Sequence, residues 1–311
     1  MLEFIAKRLL WGVFVLLGVT LVTFFLMYVV PGDPVLNMIG QRADQETIER
    51  LRKEFNLDKP WYTQYFLYMG KILKGDLGRS YMTKQEVSEA IKEFFPNTVK
   101  LALFSMVIAT LLGVIVGVVS ATNQYSIWDN LAISFTLLGV STPVFVVGLI
   151  LIYVFAMKLH WLPPSGIGDG SIRYLILPAI TLGTRAAAYI ARMTRSSMLE
   201  VVRQDYIRTA RSKGLSERIV IYKHALKNAL IPIVTIIGLD LGSYLVGSVL
   251  TESIFGWPGI GRYMMQAITM RDFPVIQGMV LFTAMIFVLA NLVVDITYGF
   301  IDPRIRYDKS D

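Results

Sequence analysis

Residues 208–232 read RTARSKGLSERIVIYKHALKNALIP. Arg208, Arg211, Lys213, Arg218, Lys223 and Lys227 crowd into this stretch, yet strongly apolar segments flank it on both sides. It belongs to a longer polar region, 192–228, far longer than the roughly 2–8 residues that a helix–helix connection needs. The pattern predicts two helices meeting at Gly214. SSMLEVVRQDYIRTARSK continues the first. Gly214 suits the left-handed residue that follows a helix, with Arg211 and Lys213 in the last turn favouring the dipole. Ser216 is the expected next N-cap, and Glu217 suits the first turn. Ala210 and Gly214 lie four apart and share a helix face that another backbone can approach closely. Tyr206 and Thr209 flank that face, and basic residues rim it. Two readings stay open on these residues alone: a knuckle for an anionic partner on the cytoplasmic side, or a juxtamembrane basic helix lying against lipid headgroups.

The flanking segments set the class. Of 311 residues, 54% are hydrophobic and only 17% charged, against about 25% charged in soluble domains. A hydrocarbon layer about 30 Å thick takes roughly 20 apolar residues in helix. Six segments meet or approach that length: 9–30, 98–121, 131–157, 174–191, 229–250 and 275–300. The first follows Lys7 and Arg8, but its apolar run is too long for a signal-peptide core and no small-residue cleavage site follows, so it is expected to remain as a span. The fourth is short and contains Pro178 and Arg185. Charge supports counting it. With the amino terminus inside, 192–228 and both termini face the cytoplasm and carry 14 Lys and Arg, whereas the short outer connections 158–173 and 251–274 carry four. The net charge of +7 then reflects cytoplasmic loops rather than nucleic-acid binding.

The expected organisation is a cytoplasmic amino terminus with the first span (1–30), an extracytoplasmic insert (31–97), and a core of five spans (98–311) that carries the 192–228 loop. The insert balances ten basic against ten acidic residues. DQETIERLRKEF predicts a helix capped by Asp44 with Ile48, Leu51 and Phe55 on one face. YTQYFLYMGKIL predicts a second helix, and KGDLGRS a turn.

Catalytic constellations are missing. The chain has no cysteine and only His160 and His224, which disfavours a metal site. No phosphate-binding G-x-x-x-x-G-K-[ST], H-E-x-x-H or G-x-S-x-G occurs. No enzyme activity and no cofactor are therefore expected of this chain. Within the spans, Arg185 and Asp240 stand out, since a charge at mid-bilayer costs about 2.5–3.5 kcal/mol and usually faces protein or water. They are candidates to pair with each other or to line a path. Asp295, near the inner end of the last span, is expected to pair or snorkel. Pro143 is expected to kink the third span beside Ser141 and Thr142, as a gate or a packing kink. Gly113 and Gly117 predict close helix packing. GWPGIG at 256–261 predicts a compact outer turn before a helix.

The stretch RTARSKG at 208–214, followed by ALIP at 229–232, resembles the cytoplasmic loop of ATP-binding-cassette importer permeases, whose pattern is E-A-A, three residues, then G, with I-x-L-P further on. Ala210 and Gly214 match; Arg208 and Thr209 replace the first two positions. The peptide-importer branch favours Y-x-R-T-A-R-x-K-G, which stands here at 206–214. PGDP at 31–34, GDLGRS at 75–80, STPVF at 141–145, LPPSG at 162–166, LPAITLG at 177–183, RMTRSSMLEV at 192–201, ESIFGWPGIGRYMMQAITMRDFPVIQG at 252–278 and DPRIR at 302–306 extend the resemblance, which is to the dipeptide/oligopeptide permease subunit of B type. It implies an all-α, six-span, type I importer permease fold (MetI-like). It implies a cytoplasmic-membrane location with both termini inside, a homologous second permease subunit, two ATPase subunits that hold ATP and Mg, and an extracytoplasmic substrate-binding protein. Tyr206, Arg208, Thr209, Ala210, Lys213 and Gly214 become the expected coupling residues. Relatives move dipeptides, longer peptides, nickel complexes, glutathione or oligosaccharides. Secondary transport and channel function are the competing classes.

Overall fold

A computed structural model describes residues 2–29, 35 and 44–301. The PGDP and DPRIR runs and the carboxyl-terminal tail lie outside the described residues. Backbone polar groups have no water to bond in hydrocarbon, so apolar segments that cross it must be helical. The chain obeys this. The long helices are α1 (Leu2–Val29), α4 (Val87–Thr122), α7 (Arg173–Val202), α10 (Leu226–Leu245) and α13 (Phe273–Ile301). Between α1 and α4 stand α2 (Gln45–Glu54) and α3 (Trp61–Ile72). A pair, α5 (Ile127–Ser141) and α6 (Val144–Leu151, with a π-helical turn over Ile152–Lys158), separates α4 from α7. The short α8 (Asp205–Ser212) and α9 (Glu217–Ile219) precede α10, joined to it by a π-helical turn, Val220–Ala225. The last connection holds α11 (Val249–Ile254) and α12 (Ile260–Met270).

Close glycine approaches fix the helix directions. Gly183 faces Ser105, Gly113 faces Ala187 and Ile190, and Gly117 faces Ala191 and Thr194. Residue numbers rise together on both helices, so α4 and α7 run parallel. A Cβ at Gly117 would stand 2.5 Å from the Cβ of Thr194. The predicted small-residue packing of Gly113 and Gly117 is therefore real and has no spare room. Parallel neighbours require the chain between them to cross back. The α5–α6 pair does so, starting beside Ser120 at one end of α4 and delivering Gly166 to a hydrogen bond with the Phe255 carbonyl at the other.

That crossing is not the single kinked helix expected for 131–157. Its two halves are bent by 108° relative to one another. Proline removes a donor and pushes the preceding residue out of the helical region. Thr142 is accordingly extended (φ −82°, ψ 127°), and Pro143 opens a new helix instead of bending the old one.

The remaining helices alternate. Tyr244 donates from its hydroxyl to the Leu182 carbonyl (2.9 Å), while Ala225 and Ala229 pack with Met198, so α10 runs antiparallel to α7. Gly238 meets Val294 and Gly242 meets Ala290, which sets α13 against α10. Gly12 meets Val288, and Arg8 pairs with Asp295 at 3.1 Å, the partner Asp295 was expected to find. Among the described residues, five long helices and the bent pair, counted as one span, make six candidate crossings. The start of α1, the end of α13 and the 203–219 connection share one end, here called the basic end.

Several spans differ from their expected bounds, among them α7, which runs on to Val202 instead of stopping at 191. α4 starts at Val87 rather than Thr98 because its first turns pack outside the apolar run, with Val87, Ala90 and Ile91 buried against Ile260, Val275 and Met279. The fifth helix stops at Leu245, not Leu250. Gly247 there adopts φ +106°, a conformation that only glycine takes without strain, and the Gly261 backbone stands 3.0 Å from where its Cβ would be.

The end opposite the basic one carries the insert. Asp44 caps α2 through the Thr47 amide as predicted (3.1 Å). Tyr65 and Tyr68 of α3 pack on Phe24 of α1. Glu252 and Asp272, both buried, tie this end together. Glu252 accepts from Thr98 Oγ1 (3.0 Å) and the Arg262 amide (2.9 Å), closing the N-terminus of α12. Asp272 accepts from Ser80 and from the amides of Tyr81 and Met82.

Candidate coupling knuckle and translocation face

α7 ends at Val202, the chain turns through Arg203 and Gln204, and α8 begins. Ile207 and Ala210, three apart, point the same way on α8. Both are buried in a cluster with Val118, Met198, Val220, Ala225 and Ala229, drawn from α4, α7 and the approach to α10. Every other residue from Arg203 to Ile219 is exposed. The result is a basic knuckle seated on the feet of three spans.

This corrects the expected small-residue face. Ala210 is turned into the chain's own core and offers nothing to a partner. Gly214 alone stays open: it has φ +76°, and nothing lies within 4 Å of the place its Cβ would occupy. It stands where the left-handed residue after the helix was predicted. Tyr206, Arg208, Thr209 and Lys213 are exposed around it. The Tyr206 hydroxyl accepts from Asn228 Nδ2 (2.8 Å), Thr209 donates to the Asp205 carbonyl (3.0 Å), and Arg208 lies 3.6 Å from Asp205. Ser216 takes the N-cap position without a side-chain cap bond. The turn is closed instead by a two-pronged contact from Arg211 to Glu217, at 2.7 and 3.2 Å. Sequence reasoning placed these two residues in their turns and missed their pairing.

A second unforeseen contact lies at the same end. Asp129 is 1% exposed. It accepts from Ser120 Oγ, from the Tyr125 amide (3.0 Å), and from Arg195 through Nε and Nη2, both at 2.9 Å. This latch joins the foot of α4, the start of α5 and the lower half of α7. Arg195 sits in the quoted RMTRSSMLEV run, but its partner is 66 residues away, and no local pattern marks it.

The intramembrane candidates converge on one level. Gly139 packs against Thr184 and Ala188, and Gly148 against Thr181 and Phe255. The break at Ser141, Thr142 and Pro143 therefore stands level with Arg185. Tyr244 bonds Leu182, and Asp240 lies one turn from Tyr244. Arg185 is exposed and Asp240 half-buried. Among the described residues no ion pair joins them, so the pairing alternative fails. Below Arg185, Tyr189, Arg192, Ser196 and Glu200 follow at helical spacing, and all are exposed. The Arg192 guanidinium lies 5.3 Å over the Tyr189 ring. The opposite face of α7 is the one packed on α4. The sequence singled out Arg185 but not this polar stripe, although its spacing was readable. Among the described residues, no group of three or more His, Asp or Glu side chains is arranged to hold a metal ion.

Comparison with known proteins agrees with this architecture. Residues 91–307 match the family described as binding-protein-dependent transport system inner membrane component, and residues 1–102 match its N-terminal companion. The chain is 46% identical to the dipeptide transport system permease protein DppB of Alkalihalophilus pseudofirmus, over 99% of this chain and 100% of that one. It is 44% identical to the di/tripeptide transport system permease protein DppB of Pseudomonas aeruginosa and 41% identical to the glutathione transport system permease protein GsiC of Escherichia coli, each with the same coverage. Two solved structures share its fold. The MetNI methionine ABC transporter in inward-facing conformations gives a TM-score of 0.54 at 17% identity, covering 69% of this chain and 97% of that one. An amino acid ABC transporter with histidines gives 0.52 at 20% identity, covering 70% and 94%. By its sequence along both family matches and by its six-crossing helical fold, the chain belongs to the binding-protein-dependent transport system inner membrane components.

Proposed function

We propose that this chain is one of two permease subunits in an ATP-driven importer of dipeptides and oligopeptides. Its basic end faces the cytoplasm, in keeping with the concentration of Lys and Arg there. Two ATPase subunits supply ATP and Mg chemistry, and a binding protein delivers substrate to the opposite end. The knuckle over 205–214 docks in a groove of one ATPase. Tyr206, Arg208, Thr209, Lys213 and Gly214 meet it, while Ala210 and Ile207 root the knuckle in the bundle.

The observation that carries this reading is the seating of the knuckle. A basic helix serving only lipid contact needs no buried anchor. Here Ile207 and Ala210 lock α8 to α4, α7 and the approach to α10. A displacement of the knuckle therefore moves three spans as a unit, which is the discrete element that coupling between two sites requires.

The test is Gly214→Trp in the reconstituted four-subunit importer with its binding protein. The chain itself has room for the larger side chain, so insertion and assembly persist. Hydrolysis is expected to continue while peptide uptake is lost. Normal uptake at normal expression would defeat the assignment. Uptake that collapses with the ion gradient at constant ATP would favour a secondary transporter.

A further inference from the structure

We propose that Arg185 and Asp240 form a transient subsite for the two charged ends of a peptide in transit, Arg185 taking the carboxylate and Asp240 the ammonium group. This rests on the permease reading and names what its path recognises.

The starting point is an energetic anomaly. Arg185 lies twelve residues along α7 from Arg173, about 18 Å below it at 1.5 Å per residue. Asp240 lies in α10, the neighbouring helix. Opposite charges this deep in a membrane relieve their desolvation by pairing. The Tyr244 hydroxyl, one turn along α10 from Asp240, is committed to the Leu182 carbonyl, one turn from Arg185, so the two charges stand at one level of neighbouring helices, yet among the described residues no ion pair joins them. Neither is closed off, Arg185 being exposed and Asp240 half-buried.

The chemistry of the pair selects its ligand. A guanidinium presents a planar fork that matches a carboxylate in two parallel bonds. An aspartate accepts from an ammonium group. A dipeptide carries both ends within roughly 7 Å, from about 3.3–3.6 Å per residue. A gap wider than an ion pair admits it; a closed Arg–Asp contact would not. Partial exposure also keeps each contact weak, and a path must bind weakly enough to release. The break at Ser141, Thr142 and Pro143 borders this level, and the stripe Tyr189, Arg192, Ser196 and Glu200 continues from it to the basic end.

The experiment uses the assembled importer in liposomes with radiolabelled L-alanyl-L-alanine. Arg185→Ala and Asp240→Asn are each expected to lower maximal uptake at least about tenfold, as loss of a hydrogen bond to a charged group does. Half-saturation, set by the binding protein, should hold, as should the thermal midpoint and the yield of four-subunit complex. Arg185→Lys should recover part of the loss, since the charge remains but the fork does not. In parallel, alanyl-photoleucine trapped during turnover should label residues near 185 on α7 or near 240 on α10. Uptake within twofold of the parent in both variants would overturn the proposal. So would labelling confined to other helices, or a loss of assembly with the second permease subunit, which would make the pair an interface. If the unaltered importer shows no ATP-driven peptide uptake, the permease reading fails first, separately from this one.

Discussion

Replacing Asp129 by alanine should unseat the basic end of the bundle, and the size of the effect follows from its contacts. The substitution removes four hydrogen bonds at once: two from Arg195, one from Ser120 and one from the Tyr125 amide. Breaking a buried ion pair from one side costs about 3–5 kcal/mol. Arg195 is 26% exposed, so water recovers part of its solvation, and about 3 kcal/mol is the appropriate figure. Asp129→Asn keeps an acceptor for Ser120 or Tyr125 and should cost roughly half as much. The measurement is thermal unfolding in detergent for Asp129→Ala, Arg195→Ala and the double variant. A drop of roughly 5 °C or more is expected for Asp129→Ala. The double variant should lose much less than the sum of the single ones, leaving a coupling energy of about 2 kcal/mol. Additive losses would refute the latch, because they would mean that the two side chains stabilise the protein independently.

Four further outcomes follow from the packing. Gly117→Leu forces carbon atoms into the 2.5 Å approach to Thr194 and should splay α4 from α7, so that little folded protein survives detergent extraction; normal yield would contradict the parallel pairing. Gly214→Ala meets no neighbour but must hold a left-handed backbone, costing about 1 kcal/mol, with a correspondingly small change in hydrogen exchange across 205–217. Pro143→Ala restores a donor at the break and should let α5 run on toward Val144, detectable as a longer distance between spin labels at residues 128 and 150. Burial raises the Glu252 carboxyl above the ordinary glutamate range. A raised acid stabilises the fold fully below its unfolded value and loses that contribution as pH rises toward the folded one. The unfolding midpoint should therefore fall more steeply with rising pH in the parent than in Glu252→Gln, and parallel curves would count against it.

Local pattern carried the span count and some of the helix caps, because these depend on residues close in sequence. Asp44 caps where it should, Gly214 takes the left-handed backbone, and Gly113 and Gly117 accept a neighbour. Span direction was legible only through the charge bias of the loops, and parallel packing of α4 on α7 reaches the same parity by a different route. What escaped depended on distance along the chain. Asp129 meets Arg195 across 66 residues and Thr98 meets Glu252 across 154. Periodicity contains no information about either meeting. The Pro143 break was misjudged for another reason: proline forbids a helix from continuing regularly, but whether it bends or stops depends on what packs on each side. Here Gly139 seats against Ala188 and Gly148 against Thr181, and two separately anchored halves have no need to stay collinear.

Those two anchorages bear on how the proposed importer works. Below the break, α5 is tied through Asp129 to Arg195, and Arg195 stands one turn from Met198, a member of the cluster that seats the knuckle. Above it, α6 packs through Gly148 on Phe255, three residues from Glu252, which Thr98 and the α12 amides hold at the far end. In the proposed importer, force entering at the knuckle would reach the lower half of the third crossing directly, whereas the upper half is fixed to the end opposite the basic one. The difference must be taken up between them. Ser141, Thr142 and Pro143 lie at that place, level with Arg185, so a change at the basic end is converted into a change of shape where the two unpaired charges stand. Under the proposed coupling scheme, a helix that ran straight through Pro143 would carry the same force to the opposite end and leave that level unchanged.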